Sequence, residues 1–226
     1  MLELKNYHIF HKILNTPQSA EHAKRLLDIV GVKYVVSSEF IDNQNSEILD
    51  LNLMKIVKIG NKNVYIYEYL SFPGRFLIFY SSYFIKDENE IIKNLYYQNY
   101  DLRKTLFLSS KEDKTEKYPE GNGKVKLISY APNKVVLNAS TDTDAFLYLS
   151  DTWYPGWKAY IDGKETEIYR ANLTFRAVRL PKGTHEVVFQ YRPMSFYIGA
   201  LLTLSGVLLS IVMITRDRKS AKNTEA

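Results

Sequence analysis

Residues 196–215 read FYIGALLTLSGVLLSIVMIT, twenty positions without a charge. At about 1.5 Å of rise per residue they make a helix of roughly 30 Å, the thickness of a bilayer's hydrocarbon core. Ten of the twenty are Leu, Ile or Val, and together these favour insertion by about 3 to 6 kcal/mol. A buried core helix of a water-soluble protein is one competing reading, but it does not account for the basic cluster that follows at once. An interfacial helix is the other, and it needs a charged face that this segment lacks. The stretch is therefore read as a membrane span, and the chain before it as a polar body tethered by that span.

The flanks orient the span. Arg216, Arg218, Lys219 and Lys222 follow it, against Asp217 and Glu225. The positive-inside rule makes residues 216–226 a basic cytoplasmic tail and the body extracytoplasmic, with Arg192 alone competing on the other side. Tyr191, Phe196 and Tyr197 fall where an outer aromatic belt sits. No secretory signal or second span is visible near Met1, so export of the body calls for an element upstream. A tail anchor would instead leave the body in the cytoplasm. Gly199, Thr203, Gly206 and Ser210 are spaced by four, three and four, which puts small residues on one helix face. Such faces let membrane helices approach closely, and the expected partners are the bilayer and other transmembrane helices.

The body divides by texture. The chain has 226 residues, a formal net charge of +5 and no Cys, which excludes disulfides and thiolate metal sites. No basic stripe with interleaved aromatics argues for nucleic acid. Thr16-Pro17 starts a helix whose Ala20, Ala23, Leu27 and Val30 recur at helical spacing, with Gly31 as its cap. Residues 54–59 and 64–69 read as a hairpin, residues 75–83 as an apolar strand, and Asp87 as the cap of a short helix. Residues 1–110 thus form an α+β unit. Residues 111–124 are a charged linker with Pro119, Gly121 and Gly123. In residues 125–193, seven short strand candidates alternate with turn signals, Asp162-Gly163 the strongest, and suggest a small all-β sandwich of immunoglobulin-like size. The expected architecture is this α+β unit, then the sandwich, then one C-terminal transmembrane helix.

Sequence patterns for chemistry are sparse. His8 and His11 lie one helical turn apart with no carboxylate cluster, so no metal site or cofactor is expected. No GxSxG, phosphate-binding glycine loop or HExxH is present, and no residue is nominated as catalytic. The dense segment is 151–157, DTWYPGW. Its Trp153, Tyr154 and Trp157 either stack on sugar rings or fill the sandwich core. Arg170, Asn172 and Arg176 follow. They either read a phosphate or sugar hydroxyl, or make turns and ion pairs with Asp151 or Glu167. The candidate glycan-facing surface is Trp153, Tyr154, Trp157, Arg170 and Asn172. Asn172-Leu173-Thr174 and Asn138-Ala139-Ser140 also match the N-glycosylation pattern.

Residues 150–199, SDTWYPGWKAYIDGKETEIYRANLTFRAVRLPKGTHEVVFQYRPMSFYIG, resemble the C-terminal part of the YfhO family of polytopic bacterial membrane proteins, of the C-type glycosyltransferase class. The pattern is a DxxYPGW corner, a YxDG hairpin, an FRAV strand, a GxHxV turn, and an FxYRP strand running into the last membrane helix. Upstream, LLDIVGVKYVVSS, YEYLSFPGRFLIFYSSYFIKDENEII and NYDLRKTLFL are similar to further stretches of the family, with Gly74 an insertion-like departure. The resemblance implies many preceding membrane helices and acidic catalytic residues in early extracytoplasmic loops, none of which this sequence contains. It also implies polyprenyl-linked sugars and a wall polymer such as lipoteichoic acid as partners. The chain then reads as an accessory extracytoplasmic portion of a membrane glycosyltransferase system acting on cell-envelope glycans. The alternative is a non-enzymatic, membrane-anchored envelope module for structure or protein interaction.

Overall fold

The computed structural model of the chain describes residues 8–10, 12, 15–97 and 100–224, with residues 214–224 described by backbone alone. Helix α1 (Ala20–Val30) begins where the Ser19 side chain accepts the His22 N–H and ends at Gly31, whose φ of 67° suits glycine. Strand β1 (Tyr34–Ser37), the short helix α2 (Asn43–Leu49) and the hairpin β2 (Leu51–Ile59) and β3 (Lys62–Tyr69) follow. The three strands form a small antiparallel sheet in the order β1-β3-β2. Buried Asp28 of α1 ties this sheet to the body, accepting from Tyr69 Oη and, at 2.6 Å, from Arg103.

Strands β4 (Phe76–Phe79) and β5 (Ser81–Ile85) precede helix α3 (Glu88–Tyr96), which Asp87 caps. Then come β6 (Thr105–Ser109), β7 (Lys114–Lys117), β8 (Gly123–Ala131), β9 (Lys134–Thr141) and β10 (Ala145–Leu149). The body closes with β11 (Trp157–Ile161), β12 (Lys164–Thr166), β13 (Tyr169–Ala171), β14 (Phe175–Leu180) and β15 (Gly183–Tyr191). One sheet has seven strands in the order β4-β10-β14-β13-β6-β5-β7, and the other has five in the order β12-β11-β15-β9-β8.

The seven-stranded sheet must curl. Its first and sixth strands, β4 and β5, are separated in sequence by Tyr80 alone, and consecutive Cα atoms stand only about 3.8 Å apart. The expected single strand over 75–83 is therefore a bent ribbon that serves both sides of the roll. Inside lie Phe84, Phe146 and Tyr169 in mutual edge contact, with the Arg179 guanidinium over all three rings. Helices α1 and α3 complete this core with Leu26, Ile29, Ile91 and Leu95. The opposite face of β10 and β14 supplies Leu147, Leu149, Val178 and Leu180 to a second core. There they meet Val135, Leu137, Val187 and Phe189 of the five-stranded sheet. Burial on both faces explains why β10, AFLYL, carries no polar alternation.

Two boundaries differ from expectation. The linker expected at 111–124 contains β7, which pairs with β5 from Ser81↔Lys117 to Phe84↔Lys114. Strands from before it interleave in one sheet with β10, β13 and β14 from after it, so residues 1–110 and 125–193 are not separate units. The reason is physical: β7 is an edge strand, and edges are kept charged against mispairing, so KTEK has the composition of a loop.

The body is β-rich and carries one C-terminal apolar helix, as the sequence leads one to expect. Helix α4 (Met194–Thr224) contains one stretch, Met194–Met213, long and apolar enough to cross a membrane, and the body buries none of it. Its polar side chains look after themselves. The hydroxyls of Thr203, Ser205 and Ser210 each donate at 2.9 Å to the carbonyl four residues back, as a hydrocarbon environment demands.

The Asp162-Gly163 turn joins β11 and β12 with φ of 49° and 79°, the mirror-type hairpin expected. Asp162 accepts the Glu186 N–H at 2.9 Å and holds His185 Nδ1 at 2.6 Å. The hydrogen bond that His185 donates to Asp162 raises the His185 pKa above its ordinary value and lowers that of Asp162. A raised folded-state pKa means that the His185 contribution to stability is complete below about pH 6.5 and is lost as pH rises through the folded value. NMR titration of His185 should give a midpoint above that of an unstructured histidine, and Asp162→Asn should abolish the elevation.

Candidate functional site

The DTWYPGW segment leaves β10 and crosses the end of β14. Asp151 sets its geometry. The Asp151 carboxylate accepts from Arg75, from Arg176 at 2.9 Å and from the Tyr130 hydroxyl at 3.0 Å. Arg176 is 2% exposed, and its guanidinium lies 3.9 Å from the centre of the Trp157 ring. Burial pushes the Arg176 pKa down to about 10, with Asp151 opposing the shift, so the group stays charged at neutral pH. Arg75 donates to Tyr130 at 3.0 Å and stacks 4.9 Å from its ring centre. Five residues from four separate segments thus close one charged knot. The expected Arg176–Asp151 pair is present. Arg75 and Tyr130 carry no sequence signal, being 76 and 21 positions from Asp151.

The five candidate glycan residues separate. Trp153 and Arg170 come together, with the guanidinium 5.6 Å from the Trp153 ring centre. Arg170 also pairs with Glu88 at the start of α3 and donates to Ser109 Oγ at 3.3 Å. Trp153 and Arg170 line a groove of about 420 Å³ with Glu88, Ser109, Glu167 and Tyr169. Five of those residues also line an adjoining groove of about 720 Å³, bounded by Lys86, Lys111, Lys114 and Arg179. At its wall Arg179 holds Glu116 through both terminal nitrogens and keeps that carboxyl down at about 2. Tyr154 is exposed at 48% and lies outside this lining. Trp157 is partly buried, packed on the second core and 5.4 Å from Tyr191.

Asn172 corrects the expectation: it is fully buried and presents nothing to a sugar. Its Oδ1 accepts the Phe107 N–H at 3.1 Å while its own N–H donates to Phe107 O at 2.8 Å. The physical reason is local. Strand β13 reaches β6 through Ala171↔Leu108 alone. The next residue turns away at φ 45°, a conformation Asn tolerates, and its side chain replaces the missing ladder bond. The Asn172-Leu173-Thr174 glycosylation pattern is buried with it. Of the histidine pair, His11 lies outside the described residues.

The family described as bacterial membrane protein YfhO matches residues 36–203. The chain belongs to this family. The match includes Arg75, Tyr130, Asp151, Trp157 and Arg176, and runs into α4. A curated relative, uncharacterized protein YfhO of Bacillus subtilis (strain 168), is 25% identical over 124 residues. That alignment covers 55% of this chain and 13% of the relative, so the chain corresponds to a small part of that protein's length. No solved structure matches.

Removing Asp151 strands a buried guanidinium. Asp151→Ala should destabilise the body by about 3 to 5 kcal/mol, whereas Arg176→Met, which removes the charge and keeps the volume, should cost less. Denaturant unfolding of both variants checks the order, and equal, small losses would contradict the role given to Asp151.

Proposed function

We propose that this chain is the extracytoplasmic portion of a YfhO-type membrane glycosyltransferase system acting on cell-envelope glycans. In this reading it positions an acceptor polymer or scaffolds the membrane part, and chemistry belongs to segments outside this sequence. The observation that carries the reading is the Trp153–Arg170 groove, an aromatic ring beside a cation on a domain of this family. An indole face suits a sugar ring, and a guanidinium suits a phosphate or hydroxyl at its edge. The arginine-rich and lysine-rich tail supports a cytoplasmic C-terminus, which leaves the groove outside the cell. The face of Gly199, Thr203, Gly206 and Ser210 supports packing of α4 against other membrane helices.

A second reading, a non-enzymatic envelope module, draws on one specific observation. Arg170 in this groove and Arg179 in the adjoining one already hold Glu88 and Glu116, so their charge is balanced without a ligand.

Fluorescence titration of the full chain in nanodiscs separates the two. With a poly(glycerol phosphate) wall polymer or a polyprenyl-phosphate sugar, emission should be quenched, and Trp153→Phe should remove the response while Trp157→Phe keeps it. Unchanged emission with both ligands would favour the second reading. For sidedness, a reporter fused after Ala226 should be active only in the cytoplasmic form, and periplasmic-type activity would reverse the assignment.

A further inference from the structure

The join between body and helix is unusually short. Trp157 of β11 pairs with Tyr191 of β15, the Tyr191 N–H donates to Asn133 O at 2.8 Å, and the Arg192 N–H donates to Gly156 O at 2.6 Å. Gly156 sits at φ 99°, and a Cβ there would stand 3.0 Å from Pro193 Cα. The YPGW corner therefore rests directly on the residue that precedes α4. Arg192 lies two positions before Met194, where the apolar stretch begins. Two residues reach at most about 7 Å, and the polar layer on one side of a bilayer is about 5 to 8 Å thick. The backbone at Gly156 thus lies within about 10 Å of the start of the apolar stretch, a distance comparable with the thickness of that polar layer.

We infer that the YPGW corner is a second membrane contact, with Tyr154 and Pro155 seated in the headgroup layer that α4 enters, so that the body stands on the lipid at a fixed tilt. The chemistry fits. Tyr154 is 48% exposed, and a tyrosine with an apolar ring and a polar tip suits this layer. Lys134, beside Asn133, and Arg192 are exposed at the same end, and such cations attract anionic headgroups. Phe196 and Tyr197 stand exposed in the first turns of α4 and extend the aromatic rim. The far end of β11 is the polar Asp162-Gly163 turn, about 15 Å away along the strand. The occupant is the bilayer itself, by continuity with the span, and the inference does not depend on the glycan reading.

The chain has no Cys, so one engineered thiol takes a spin label cleanly. Tyr154→Cys and Lys164→Cys would be labelled separately in the full chain, reconstituted in vesicles of phosphatidylcholine with phosphatidylglycerol. The label at 154 should collide with oxygen in preference to a water-soluble nickel chelate, and the label at 164 should show the reverse preference. Adding Arg192→Glu should shift the label at 154 toward water. Equal nickel accessibility at 154 and 164 would overturn the inference, as would a label at 154 that Arg192→Glu and the lipid composition leave wholly aqueous.

Discussion

A charged guanidinium held between two sheets governs this molecule. Arg176 occupies a position on β14 whose neighbours Val178 and Leu180 belong to the apolar layer. Isolating a charge there costs several kcal/mol, and only a well-placed counter-charge makes it tolerable. Asp151 meets that need because β10 and β14 are paired with Leu149 opposite Arg176, which brings the chain leaving β10 over the guanidinium. Trp157 then packs its ring against the guanidinium, 3.9 Å from ring centre to the guanidinium carbon. With Asp151 and Trp157 both anchored on Arg176, the five residues between them have little freedom, and Gly156 is pressed against Pro193. The exit of the membrane helix is in this sense a consequence of one buried ion pair.

Curling of the larger sheet follows from a different constraint. Because β4 and β5 are nearly continuous, the strands that pair with them come from distant parts of the chain: β10 with one, β6 and β7 with the other. The concave side is lined by rings and sealed at its edge by Arg179 and Glu116. Their hydrogen bonds let a cation sit over three aromatic faces without an open charge. Arg179 also lines the groove that adjoins the Trp153–Arg170 one, so the surface chemistry there is inherited from the packing of the roll.

What could be read in the sequence was what depends on near neighbours. The apolar span, the Gly31 cap, the Asp87 cap and the Asp162-Gly163 turn each rest on residues within a few positions of one another, and each stands where expected. The interleaving of the sheet was illegible because strand pairing across more than sixty residues leaves no period in the sequence. β7 was hidden by the charge that protects an edge. Asn172 illustrates a further limit. Beside Arg170 it looked like a polar surface, but its amide serves the Phe107 backbone, a need created only when β13 turns away from β6.

The heptapeptide DTWYPGW shows why its aromatic density misleads as a single surface. Along an extended and then turning backbone, successive side chains point in different directions. Asp151 faces the buried arginine, Trp153 the groove beside Arg170, and Trp157 the second core. Tyr154 is left facing outward, and Gly156 has no side chain because Pro193 occupies that space. The residues are clustered in sequence because one corner joins the core, the groove and the start of the membrane helix. Substitutions within it should therefore separate by environment: loss of Asp151 acts on folding, loss of Trp153 on the groove, and loss of Tyr154 on the contact with lipid.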